Sequence, residues 1–160
     1  MYEKDVKRYE IILNEIQKKF PCPIRIQLLS KEFSGTARVL WNPISGYRLI
    51  VNPQKIKNMN SSAVKGLIAH ELSHVEQFLG YNLFRRMYEA FIEYLRINYL
   101  STIRNQKTID AIESDADYRA IKRGYGKELI ALIRFEQVKK IKYKNKYFSV
   151  AEVKRIMKNL

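Results

Sequence analysis

The chain contains only two histidines, four residues apart, with a glutamate directly after the first: His70-Glu71-Leu72-Ser73-His74. On a helix, residues i and i+4 lie one above the other on the same face, so both imidazoles can reach a single metal ion. Glu71 falls about a quarter turn round the helix. That suits it to holding a proton beside the ion rather than binding it. The bland alternative is two surface histidines on an amphipathic helix. On the functional reading this stretch must be helical, and another element must face it.

Local signals agree with a helix there. Asn60 or Ser61 can cap its start and Gly80, after Leu79, can stop it. In projection Val64, Ile68, Leu72, Val75 and Leu79 share a core face, Ser62, Lys65, Ser73 and Glu76 a wet face, and the histidines a third side between them. Upstream, Val6, Tyr9, Leu13, Ile16 and Phe20 recur at helical spacing, which predicts a helix over 2–20 ended by Pro21-Cys22-Pro23. Three short strands follow: 24–28, 37–41 and 47–51. The last two flank the turn-rich segment 42–46 as a hairpin, and Pro53 stops the third. Residues 83–104 read as a long helix with a broad stripe of Leu83, Met87, Phe91 and Leu95 beside Phe84, Tyr88 and Ile92. That width suits core packing, with a membrane surface or self-association as the alternative. Thr108 can cap a helix over 109–123 that Gly124 ends. A further helix covers 127–138, and residues 143–148 are a strand or loop. Ser149 and Glu152 form a capping box ahead of a final helix over 150–159. The expected fold class is α+β: a small antiparallel sheet packed on a helical bundle.

Two histidines hold zinc poorly, and a catalytic site has three protein ligands plus a water. With no third histidine and one cysteine, the third ligand should be a carboxylate. Glu113 is the best candidate. Glu113 and Asp117 are i and i+4 on a face shared with Ile109, Ala116, Ala120 and Ile121, while Asp115 and Lys122 project the other way. Two carboxylates on an apolar face are costly to bury unpaired, and a metal with its histidine would offset that cost. Asp117 could then accept the distal N–H of His70, fixing its tautomer. Alternatively, both acids pair with nearby lysines or arginines.

The pair His70-Glu71-x-x-His74 and Glu113-x-x-Ala116-Asp117 resembles the gluzincin clan of zinc metallopeptidases. A small chain without membrane spans is most similar to the archaeal minigluzincins within it; CAAX-processing-type proteases carry similar motifs but need spans. The resemblance implies a zincin-like fold with the metal between the motif helix and the glutamate helix. It also implies one Zn2+ per chain held by His70, His74 and Glu113, with Glu71 as general base and acid and Asp117 behind His70. It further implies that the strand before the motif helix, Arg48, Leu49, Ile50, Val51 and Asn52, borders the cleft and offers an edge to an extended substrate. Peptide hydrolysis follows: Glu71 takes the proton of the attacking water and passes it to the leaving amine. The oxyanion donor is not obvious; Tyr118, Arg119, Arg123 and Tyr125 are the candidates. The missing donor leaves weak activity, a narrow substrate range or a latent enzyme as alternatives, and some minigluzincins are similar in being compact and prone to occluding their own cleft. The basic segment 139–160, with eight basic side chains against Glu152 alone, is a candidate cleft plug or subunit contact. Cys22 could cap the zinc as a fourth ligand, or simply be a small packed residue.

Composition bounds the alternatives. The 160 residues, 46% hydrophobic, form one domain over 1–160 with no repeat or linker. No apolar run approaches a membrane span, the charged N-terminus has no apolar leader core, and the single cysteine points to a reducing, cytoplasmic setting. The net charge of +14 points to an acidic partner. It keeps open a metalloprotease-like regulator acting beside nucleic acid, although no helix-turn-helix signature is evident. A non-catalytic, zinc-stabilised binding module is the third reading. The leading one is a soluble zinc peptidase acting on peptides or unfolded proteins, with homo-oligomerisation open.

Overall fold

The computed structural model describes residues 2–20, 27–30, 35–42, 46–89, 106–138 and 148–160. Helix α1 (Tyr2–Gln17) carries Tyr9, Ile12, Leu13 and Ile16 on one buried side. Its last turn tightens through Lys19 N–H to Ile16 O and Phe20 N–H to Gln17 O, so the helix ends slightly before Phe20. Strands β1 (Gln27–Ser30), β2 (Ala37–Asn42) and β3 (Gly46–Val51) form one sheet in the order β1-β3-β2.

The hairpin expected from sequence is present: β2 and β3 pair antiparallel, with Val39 opposite Leu49. The sheet as a whole is mixed rather than antiparallel, because β1 runs parallel to β3 along its other side, Gln27 opposite Arg48. β3 is therefore the central strand. Its Leu49, Ile50 and Val51 are buried, as central position demands. Residues 24–26 of the first expected strand, and Cys22, lie outside the described residues.

A short turn of helix, α2 (Pro53–Ile56), follows β3. Asn52 caps it by accepting Gln54 N–H, and Pro53 takes the first helical position, where no N–H is needed. Helix α3 (Ser61–Leu79) then runs through the middle of the molecule, with α1, β2 and the later helices over 106–120 and 126–138 packed on it. Asn60 is its cap, accepting Ala63 N–H at 2.8 Å. The expected wet face is not wet throughout. Ser73 is fully buried, and its hydroxyl donates to Ala69 O at 2.9 Å, so the polar group is satisfied within the helix. Leu79, placed on the core face from sequence, is only half-buried, since it sits at the emerging end.

Beyond α3 the described residues 83–89 (α4) are helical, with Asn82 accepting Arg85 N–H. The apolar stripe here does not pack into the core: Phe84 is 83% exposed, and Leu83, Met87 and Tyr88 are exposed too. The reason is Arg86. Its guanidinium donates to Leu79 O and Tyr81 O at the end of α3, which turns that side of α4 inward and the stripe outward. Residues 90–104 of the expected long helix lie outside the described residues.

Helix α5 (Gln106–Ala120) begins earlier than its sequence suggests, so Thr108 lies inside it rather than at its cap. A wider turn over Ile121–Tyr125 contains Gly124 at φ +89°, a left-handed conformation that suits glycine and breaks the helix. The chain reverses there into α6 (Gly126–Val138), which packs against α3. Gly66 makes that crossing close: a Cβ at this position would collide with the backbone carbonyl of Glu128. Helix α7 (Val150–Lys158) starts with the expected capping box, Ser149 N–H to Glu152 Oε2 at 2.7 Å and Glu152 N–H to Ser149 Oγ at 3.3 Å. It buries Val153 and packs on α6 and the 121–125 turn. Residues 139–147 lie outside the described residues. No helix among the described residues is long and apolar enough to cross a membrane.

Candidate metal centre

Helix α3 presents His70 and His74 one turn apart, and α5 faces them with Glu113 and Asp117 one turn apart. Ala116 and Ala120 are fully buried in α5, and their small side chains let α5 approach α3. The result is a tight group. His70 Nε2 lies 3.1 Å from Glu113 Oε2, His74 Nε2 lies 3.5 Å from it, and the two Nε2 atoms are 3.1 Å apart. Three donors around a tetrahedral ion with bonds of about 2.0–2.1 Å stand about 3.3 Å from one another. The observed triangle has that size, and the group could hold a metal ion.

The outer hydrogen bonds set the histidine tautomers. His70 Nδ1–H donates to Asp117 Oδ1 at 2.7 Å. His74 Nδ1–H donates to Gln77 Oε1 at 2.8 Å. With both Nδ1 atoms used as donors, both Nε2 atoms point at the group's centre. Asp117 is almost fully buried and has a second role, accepting the Phe148 backbone N–H at 3.2 Å through Oδ2.

Gln77 was not singled out from sequence. Its position three residues after His74 on the same helix was the available signal. Its amide donates onward to Ile112 O and Asp115 Oδ2, both at 2.8 Å. Asp115 therefore does not project away from α3 as its place in the helical projection suggested. It is half-buried between Gln77 and Arg119, whose Nε donates to it at 2.7 Å.

Burial and charge compete across the site. Burial disfavours a cationic His70, but the Asp117 and Glu113 carboxylates outweigh it and hold the pKa well above the usual histidine value. His74 is raised too, burial again being overcome mainly by Glu113. Glu113 is itself buried, yet the two histidines hold its carboxyl far below the usual carboxylate range. In the absence of a metal the three groups share protons. A divalent ion would displace those protons.

Glu71 stands apart from this triangle. Burial pushes its pKa up, against the pull of the two histidines and of the Val39 backbone N–H. That N–H belongs to β2. Thr36 O accepts Asn52 N–H at 2.8 Å, so even-numbered backbone groups here face β3 and odd-numbered ones face outward. The strand beside Glu71 is thus β2, which is an edge of the sheet among the described residues. The expectation that Arg48, Leu49, Ile50, Val51 and Asn52 offer a free edge is overturned, because both sides of β3 are paired. A cavity of about 60 Å³ opens next to the site, lined by Gly35, Thr36, Ala37, Leu67, His70, Glu71, Leu132 and Glu136.

The suggested oxyanion donors are engaged elsewhere. Arg119 and Arg123 both reach Glu76 Oε1, at 3.5 and 3.1 Å. Tyr125 is buried in a stack with Phe20, ring centroids 6.1 Å apart. Tyr118 is exposed on the outside of α5. The described part of the basic segment, 148–160, does not line the cavity; it reaches the site only through the Phe148 N–H on Asp117. Comparison with protein-family models, with curated proteins and with solved structures gives no match to this chain.

Proposed function

We propose that the chain is a zinc-dependent peptidase that cleaves extended peptides or unfolded proteins. One observation carries the reading: two imidazole nitrogens and one carboxylate converge at metal-ligand spacing, with a buried fourth group, Glu71, beside them. The donor set of two nitrogens and one oxygen suits zinc among the common divalent ions. His70, His74 and Glu113 would hold the zinc, which would supply Lewis acidity toward a water at about pH 7. Glu71 takes the proton of the attacking water and hands it to the leaving amine. A pKa raised by burial favours the protonated carboxyl needed for that second transfer. Asp117 and Gln77 hold the two imidazoles in their tautomers, and Asp115 and Ile112 hold Gln77.

The edge of β2 supplies the substrate platform. An extended chain can add to it by main-chain hydrogen bonds, which bind without demanding a particular side chain. The resemblance of the two motifs to the gluzincin clan supports the same chemistry, and the lone cysteine suits a cytoplasmic setting. The test is a pair of measurements on the parent and Glu71→Gln: zinc content, and cleavage of an unfolded protein. The expected result is about one zinc per chain in both and cleavage in the parent alone. Equal cleavage by the two proteins would overturn the proposal.

A further inference from the structure

The Glu136 side chain has no place in the chemistry above, yet it opens into the same cavity as Glu71 and His70. It comes from α6, an element that contributes nothing to the metal triangle. It makes no hydrogen bond or ion pair with any described residue, and burial holds its carboxyl up at about 7. Glu136 is half-buried, and a carboxylate so placed with no partner among the described residues gains from a cation supplied from outside. The sign of the pocket is also local. The chain carries +14, but among the described residues the charged side chains lining this cavity besides His70 are the two carboxylates Glu71 and Glu136. A pocket of opposite sign in a basic protein selects small cations from its surroundings.

Size and position narrow the ligand. About 60 Å³ is well under the roughly 150 Å³ that a benzene ring occupies in a protein cavity. An ammonium group with its adjoining carbon fits; an aromatic side chain does not. Gly35, Thr36 and Ala37, at the start of edge strand β2, form one wall. A peptide lying along β2 therefore passes the pocket mouth while its backbone lies near Glu71.

We propose that this cavity is a substrate subsite for an ammonium group, with Glu136 as its anion. The ammonium is either the free N-terminus of a peptide, which would make the enzyme an aminopeptidase, or a lysine side chain beside the cleaved bond. This inference rests on the peptidase reading for what enters the cleft, but its test does not need turnover.

The full-length, zinc-loaded Glu71→Gln protein is titrated with labelled pentapeptides, and binding is read by fluorescence anisotropy. One pair of peptides differs in a free or an acetylated N-terminus. A second, acetylated pair differs in lysine or norleucine. In at least one pair the ammonium peptide should bind about tenfold tighter than its neutral partner, as a partly buried charge-assisted contact provides. Adding Glu136→Gln should abolish that difference, and Glu136→Asp should restore part of it. The pair that responds identifies the source of the ammonium.

Equal binding within both pairs would overturn the subsite, as would a preference that survives Glu136→Gln or no binding of any peptide at roughly millimolar concentration. If the parent cuts nothing while the Glu136-dependent preference is present, the peptidase reading falls and the subsite stands. If the parent cuts peptides without regard to ammonium groups, only the subsite falls.

Discussion

Asp117 joins two distant parts of the chain at one carboxylate: Oδ1 takes the His70 Nδ1–H at 2.7 Å, and Oδ2 takes the Phe148 N–H at 3.2 Å. A candidate metal ligand is thereby oriented by a residue that the segment leading into the C-terminal helix holds in place. Asp117→Asn keeps the shape and removes the charge. Metal affinity should fall roughly 10- to 100-fold, as for other groups that orient a ligating histidine. Competition with a chromogenic chelator measures it, and an unchanged affinity would mean that Asp117 does not orient His70.

Phe148→Pro and Phe148→Ala both remove the ring that packs on the core, but only the proline also removes the backbone donor to Asp117. The proline variant should bind metal more weakly than the alanine variant, by a few-fold. Equal metal affinities in the two would show that the C-terminal segment packs near the site without acting on it.

Glu113→Gln should reduce metal binding far more than Glu71→Gln. Glu113 Oε2 lies within 3.5 Å of both Nε2 atoms, while Glu71 stands outside the triangle. Metal content after gel filtration distinguishes the two variants. Comparable zinc retention by both would remove Glu113 from the ligand set.

Without metal, stability should fall as pH rises. His70 has a folded pKa well above its unfolded value near 6.5, so its proton stabilises the fold fully below about pH 6.5, and that gain is lost as pH rises through the folded value. Glu136 acts in the same direction. Its folded pKa of about 7 lies above the unfolded value near 4.3, so the gain is complete below about pH 4 and gone above about pH 8. Glu113, with a depressed pKa, loses its contribution only in strong acid. Thermal melts of chelator-treated protein between pH 5 and 8 should therefore show a falling Tm, and saturating zinc should remove most of the fall, because the metal replaces the shared protons. A chelated Tm that rises with pH across this range would contradict the proton-sharing arrangement.

Gly66→Ala should destabilise the fold without touching a ligand. The added methyl meets the Glu128 backbone carbonyl, which is not the flexible end of a side chain. Overpacking of this kind costs about 1–3 kcal/mol, or roughly 2–12 °C in Tm at this chain length. A calorimetric scan checks it, and an unchanged Tm would show that α3 and α6 can separate freely.

Much of the site was legible because it depends on local spacing. His70 and His74 share a face in any helix, and so do Glu113 and Asp117; the remaining step was to bring the two helices together. Caps at Asn60 and Ser149 and the β2–β3 hairpin were also visible, each being fixed by a few neighbouring residues. The reading of Ser73 as wet failed because α3 is packed on several sides, and a helical projection assumes one core face. Asp115 was misplaced for a related reason: Gln77 reaches across from α3 and Arg119 reaches along α5 to engage it.

Sequence by itself determined the donor types, their tautomer partner Asp117 and the helices that carry them, because these follow from the 3.6-residue repeat and from side-chain chemistry. Only the tertiary structure decided which strand borders the site. β1 pairs with β3 from the far side, leaving β2 as the edge beside Glu71, and strand order depends on contacts between segments that no local pattern encodes. It also decided that Glu136, 62 residues beyond His74, shares a cavity with the motif helix, because the left-handed turn at Gly124 brings α6 back across α3.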